Sequence, residues 1–90
     1  ALGNIKKIAV KDSAVHAVAN GSDLGTMGIS KLQGGIEQGE QIAITTLKGE
    51  LIALGKALMN SEEMFDKQDT AASPENVYMD PSVYPKRWKQ

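Results

Sequence analysis

The sequence contains no cysteine. Disulfides and thiolate metal sites are therefore excluded, and a reducing, cytoplasmic setting is the expected one. There is a single histidine, His16, with no second imidazole to complete a zinc site. Aromatic residues make up only 4% of the chain, and Tyr78, Tyr84 and Trp88 all fall in its last thirteen positions. Stacking on a nucleobase is thereby confined to the C-terminus or to Phe65. No apolar run approaches the ~20 residues that span a bilayer, so no membrane association is expected. A surplus of positive charge is missing too: 10 basic residues face 11 acidic ones, for a net charge of −1. That argues against a broad electrostatic nucleic-acid binder but leaves room for a local basic surface.

Ninety residues make one domain, and a chain of this size buries only roughly 60% of its unfolded surface. The chain starts at Ala1 without a methionine, and a piece cut from a longer protein is expected. Charge is unevenly placed. Acids gather between Glu62 and Asp69, while Lys86, Arg87 and Lys89 sit near the end.

The pattern along the chain is dominated by short strands and glycine turns. Residues 5–10 put Ile8 and Val10 on one face and Lys7 and Ala9 on the other, which reads as a strand. Residues 11–28, KDSAVHAVANGSDLGTMG, read as a short helix and then a glycine-punctuated elbow. Asp12 or Ser13 is the expected N-cap. Ala14, Val15, Ala17 and Val18 form an apolar stripe, and Asn20-Gly21 stops the helix. A bare elbow of small residues lets another backbone or a nucleobase come close. Residues 27–32 predict a strand, 33–35 a turn and 36–39 a connector. Residues 41–47 alternate well and are rich in β-branched side chains, a strand. Residues 51–59 are ambiguous by propensity, but the short turn before them favours a hairpin, with Gly55 marking a bulge or a crowded crossing. Asn60-Ser61-Glu62-Glu63 is a helix start, with Met64 and Phe65 expected to give it an apolar contact. Residues 67–76 (KQDTAASPEN) are polar, contain Pro74 and read as a mobile loop. Residues 77–79 and 83–84 are expected edge strands. The sum is a mainly β fold: a small, partly closed barrel of five to six short strands, one principal helix and a short second helix.

No catalytic constellation is present. Asp12, Ser13 and His16 lie too close on one helix for a nucleophile–base–orienter geometry. Gly34-Gly35 and Gly39 lack the Lys-Ser/Thr of a phosphate-binding nucleotide loop. No metal or cofactor is expected.

Three separated blocks, IAVKDSAVHAVANGSDLGTMGISKL, GIEQGEQIAITTLKGELIALGKALMNSEEM and VYMDPSVYPKRW, resemble the PUA domain in the right order, from about Ile8 to Trp88. More narrowly, ALGKALMNSEEM and the closing YPKRW resemble the C-terminal PUA domain of the archaeal H/ACA guide-RNA pseudouridine synthases of the dyskerin family. The resemblance implies that residues 1–90 are a single RNA-binding domain of PUA pseudobarrel type, non-catalytic and monomeric on its own. It implies a C-terminal fragment of a larger pseudouridine synthase, or a stand-alone homologue. The implied partners are structured RNA (a guide RNA whose lower stem and 3′ ACA end are recognised, or a tRNA or rRNA), an upstream catalytic domain and other particle subunits. A protein-docking role within such a particle is the alternative.

On that resemblance, Asn20, Gly21, Ser22, Asp23, Leu24, Gly25 and Gly28 are the expected RNA contacts in the elbow. Lys11, Lys31, Lys86 and Arg87 are candidate phosphate contacts, with Lys89 beside them. Asp23 would accept from a base amino group or fix the loop. Tyr84 and Trp88 either stack on a base or pack the terminal segment. Glu62, Glu63, Asp66 and Asp69 read as a solvated acidic face. One departure stands out: Thr26-Met27 precedes Gly28 where the family pattern has a pair such as Val-Pro, so a softer loop is expected.

Overall fold

The computed structural model describes residues 5–79. In chain order these form β1 (Lys6–Val10), α1 (Asp12–Ala19), β2 (Leu24–Gly25), a 3-10 turn (Thr26–Gly28), β3 (Ile29–Leu32), β4 (Gln41–Thr45), β5 (Leu51–Ala57), α2 (Ser61–Asp66) and β6 (Thr70–Val77). The strands make one six-stranded sheet in the order β2-β6-β5-β4-β1-β3. Only the β1–β4 pair is parallel; the other neighbours run antiparallel.

This order forces closure. The edge strands β2 and β3 are joined by only the three residues Thr26–Gly28. The sheet must therefore curl until its two edges nearly meet, leaving a narrow seam. The mainly β pseudobarrel with two helices is thus present, and curling shields edges that an open sheet would expose.

Ile8, Val10, Ile42, Ile44 and Ile52 fill the interior, and α1 adds Val15 and Val18. Gly55 is the crowded crossing the sequence announces. The register shifts between Leu54 and Gly55. A Cβ there would overlap the Ser73 carbonyl oxygen and stand 2.9 Å from the Pro74 Cα. The predicted 41–47 strand ends at Thr45, because Thr46 turns inward. Its Oγ1 accepts from the Lys48 and Glu50 amides, both at 3.2 Å.

Several expectations are corrected. Residues 70–76 are not a loop: with Val77 they form β6, paired with β5 and β2, with Ala71 and Ala72 fully buried, and of the expected 77–79 edge strand only Val77 is strand, as the end of β6. Pro74 is tolerated because it lies at the bulge opposite Gly55, past the end of two-residue β2. Residues 26–28 are a turn rather than the start of a strand, and β2 lies within the expected loop. Neither Asp12 nor Ser13 caps α1. The N-cap is Lys11, with no side-chain bond, because β1 runs into the helix through that one residue. Of the two apolar residues of α2, Met64 is buried but Phe65 is 75% exposed. The predicted 83–84 strand lies outside the described residues.

Candidate nucleic-acid interface

The elbow starts at a fully bonded helix end. The Gly21 amide donates to the Val18 carbonyl at 2.9 Å, and the Ser22 amide to the Ala17 carbonyl at 3.0 Å. This is the Schellman arrangement, and it needs Gly21 at φ +89°. Asn20 supports it, its Nδ2 donating to the His16 carbonyl at 3.1 Å. Asn20, Gly21, Ser22 and Asp23 are all exposed.

The elbow's glycines have different reasons to be there. Gly21 serves the backbone, with nothing within 4 Å of an added Cβ. Gly28 serves the protein's own packing: a Cβ would meet the Ala14 Cβ at 2.9 Å and the Leu24 Cδ1 at 3.2 Å. Gly25 serves neither. Its backbone is ordinary extended chain (φ −85°, ψ 158°), it is exposed, and a Cβ would find only the Asp69 carbonyl oxygen at 3.9 Å. The fold does not require glycine at 25, so bareness there is free to serve a visitor. The Leu24 side chain is 2% exposed and packs in the core, so any contact it makes with a visitor is through its backbone.

The absence of proline at 27 does not leave the loop unrestrained. The Thr26 amide donates to the Asp69 carbonyl at 2.9 Å, and the Asp69 amide donates back to Thr26 Oγ1 at 3.3 Å. At the other end the Lys11 amide donates to the Gly28 carbonyl at 2.8 Å. These bonds hold the turn to the α2–β6 connection on one side and to the start of α1 on the other.

Between this turn and α2 runs an open groove. One hollow of ≈ 290 Å³ is lined by Lys11, Met27, Ile29, Met64, Phe65 and Lys67, among others. A neighbouring one of ≈ 440 Å³ shares Thr26, Ile29, Met64 and Phe65 and adds Ser30, Lys31 and Leu32. A third, of ≈ 350 Å³, joins Gly25, Thr26 and Met27 to Gln68 and Asp69. Elbow, turn and groove are therefore continuous along the barrel seam. Of the expected phosphate contacts, Lys11 lines the first of these hollows and Lys31 the second; Lys86, Arg87 and Lys89, like Tyr84 and Trp88, lie outside the described residues.

α2 is fixed by its own chemistry. The Glu63 amide donates to Asn60 Oδ1 at 2.8 Å, and the Asn60 amide donates to Glu63 Oε1 at 3.1 Å, a capping box. Lys67 Nζ bonds the other Glu63 oxygen at 3.1 Å. The Asn60 amide first, and then Lys67, hold the Glu63 carboxyl below its ordinary range. Glu62, Asp66 and Asp69 are exposed, as expected of a solvated acidic face, whereas Glu63 is half-buried and its carboxylate is held by the Asn60 amide and Lys67. Among the described residues no group of His, Asp and Glu converges as a metal site would require, and no helix is long and apolar enough to cross a membrane.

Met27, Lys67 and Gln68 were not legible as site residues. For Phe65 the sequence offers only the aromatic ring itself, a surface for stacking. Their position depends on the seam, which brings residues 25–31 against 64–69, and no local spacing encodes that meeting.

The comparisons agree with this geometry. The family model described as "PUA domain" matches residues 6–78. The chain is 48% identical over 90 residues to "Probable tRNA pseudouridine synthase B" of Methanocaldococcus jannaschii, spanning 99% of this chain and 27% of that protein. It is also 48% identical over 91 residues to the protein of the same name in Pyrococcus furiosus, again 27% of its length. Among solved structures it is similar to one of the archaeal box H/ACA sRNP Nop10-Cbf5 complex (TM-score 0.88, 46% identity, 92% of this chain and 27% of that one). It is equally similar to a chain of an H/ACA RNP bound to a substrate RNA containing 2′-deoxyuridine (TM-score 0.87, 50% identity, 93% and 27%). The chain thus spans about a quarter of the length of these relatives. With a barrel curled on a seam, an elbow of the expected form and a family match running through nearly all the described strands and helices, the chain belongs to the PUA-domain family.

Proposed function

We propose that this chain is the RNA-binding module of an H/ACA guide-RNA pseudouridine synthase. It recognises the lower stem and the unpaired 3′ ACA end of the guide RNA and supports pseudouridine synthesis by a catalytic domain upstream. It is not an enzyme by itself. Its partners are the guide RNA, that catalytic domain and the other subunits of the particle, in the cytoplasm; a tRNA or rRNA is the alternative RNA. The observation that carries the reading is the seam. It offers an exposed glycine that the fold does not need, beside a groove with Lys11 and Lys31 on its lining. A duplex is gripped by shape and backbone, and an unpaired end is read at its base edges. The similarity to a chain from an H/ACA RNP holding RNA supports the same reading. Fluorescence anisotropy with hairpins ending in ACA or in a scrambled tail tests it. Preference for the ACA tail, with affinity falling as salt rises, is expected; equal affinity for both tails would defeat the specificity.

A second reading, docking to protein, has its own support. Leu47, Val77 and Tyr78 are exposed, and the Tyr78 amide bonds the Ile52 carbonyl at 2.8 Å, close to the β4–β5 turn. A pull-down with the catalytic domain in the absence of RNA separates the two: capture abolished by Tyr78→Ser would favour docking.

A further inference from the structure

The groove has a floor whose chemistry the RNA-binding reading does not yet use. Phe65 is 75% exposed and Met27 72%, the two most exposed large apolar side chains among the described residues. Both line the same hollow, Phe65 from α2 and Met27 from the turn. Helix periodicity explains why position 65 points outward: α2 buries Ser61 and Met64, three residues apart, and 65 falls off that face. It does not explain a phenylalanine there. Both side chains stand on fixed backbone, Phe65 on a helix with a capping box and Met27 between the Thr26–Asp69 and Lys11–Gly28 bonds.

Charge around the floor is divided. Lys11 and Lys31 lie on the β3 side. On the α2 side Lys67 is paired with Glu63, and Asp66 and Asp69 are exposed carboxylates. A phosphate chain is drawn to the first side and repelled from the second. A nucleotide lying in the groove therefore keeps its backbone along Lys11 and Lys31 and turns its base toward the flat ring. We infer that Phe65 and Met27 form a stacking platform for one unpaired base of single-stranded RNA leaving the seam. This rests on the RNA-binding reading and adds to it a position, a contact type and a strand path.

The test uses the 90-residue chain with a blunt hairpin and with the same hairpin carrying a single-stranded 3′ extension. Thermal melting checks that Phe65→Ala, Phe65→Trp and Met27→Ala remain folded, as their exposure predicts. Phe65→Ala should weaken binding of the tailed hairpin about tenfold, and Met27→Ala less, both leaving the blunt hairpin unchanged. Phe65→Trp should keep full affinity. 2-Aminopurine placed at successive tail positions should be quenched at one of them by the wild-type chain and not by Phe65→Ala. Unchanged affinity of Phe65→Ala for the tailed hairpin, or no quenched position, would overturn the platform while leaving RNA binding intact. Binding of neither RNA by the wild-type chain would overturn both.

Discussion

The β4–β5–β6 wall and the seam are built from one chain to opposite rules. In the wall, Ile42, Ile44, Ile52 and Ala53 are completely buried, and one position, Gly55, is held to glycine by backbone that an added Cβ would overlap. At the seam, two of the bulkiest apolar side chains are left in water, and Gly25 stays bare where the fold has room for more. The wall is explained by its own packing. The seam is not, and that surplus is what a binding surface looks like from the unbound side.

The largest break in the contrast should come from the wall. Gly55→Ala drives a methyl into the Ser73 carbonyl, which is backbone and cannot swing aside. A loss of about 3 kcal/mol in urea denaturation, or failure to fold, is expected. Gly28→Ala meets the Ala14 Cβ at 2.9 Å; it should cost about 1–2 kcal/mol, placing this seam glycine with the wall by its reason for being small. Asn60→Ala removes one half of the capping box beneath Phe65 and should cost about 1 kcal/mol by the same assay.

The smallest effect concerns acid. Glu40, held by the Glu37 amide and Lys6, and Glu63, held by the Asn60 amide and Lys67, both have carboxyl pKa values below the ordinary 4.5. Folded-state values depressed in this way add stability that is present above the unfolded value and lost as pH falls through the folded one. Melting temperature should therefore drop on acidification below about 4.5, and Glu63→Gln together with Glu40→Gln should flatten that drop. An unchanged slope in the double variant would remove these carboxyls from the account.

What could be read from the residues alone follows the same division. β4 and β5 were legible because β-branched alternation and a tight turn are local signals, and Gly55, which weakens a helix, stood out as the mark of a bulge or crowded crossing. The start of α2 was legible in Asn60 and Glu63, three residues apart. β6 was not. Its sequence TAASPENV is polar and carries a proline, and it becomes a strand only because β5 and β2 supply partners from far along the chain. The elbow was visible as small residues, but which glycine served which purpose was set by Ala14, Leu24 and Asp69, contacts no spacing reveals. The groove was the least legible part, since Phe65 and Met27 come to line one hollow only when the barrel closes.

The central claim is that the seam is where RNA arrives, and Gly25 tests it most directly. Gly25→Leu fits an extended backbone with open space around it, so its melting temperature should match the wild type. Its affinity for an ACA-tailed hairpin, read by fluorescence anisotropy, should fall at least about tenfold, the scale of one lost stacked base. A folded Gly25→Leu chain that binds the hairpin as tightly as the wild type would contradict the account.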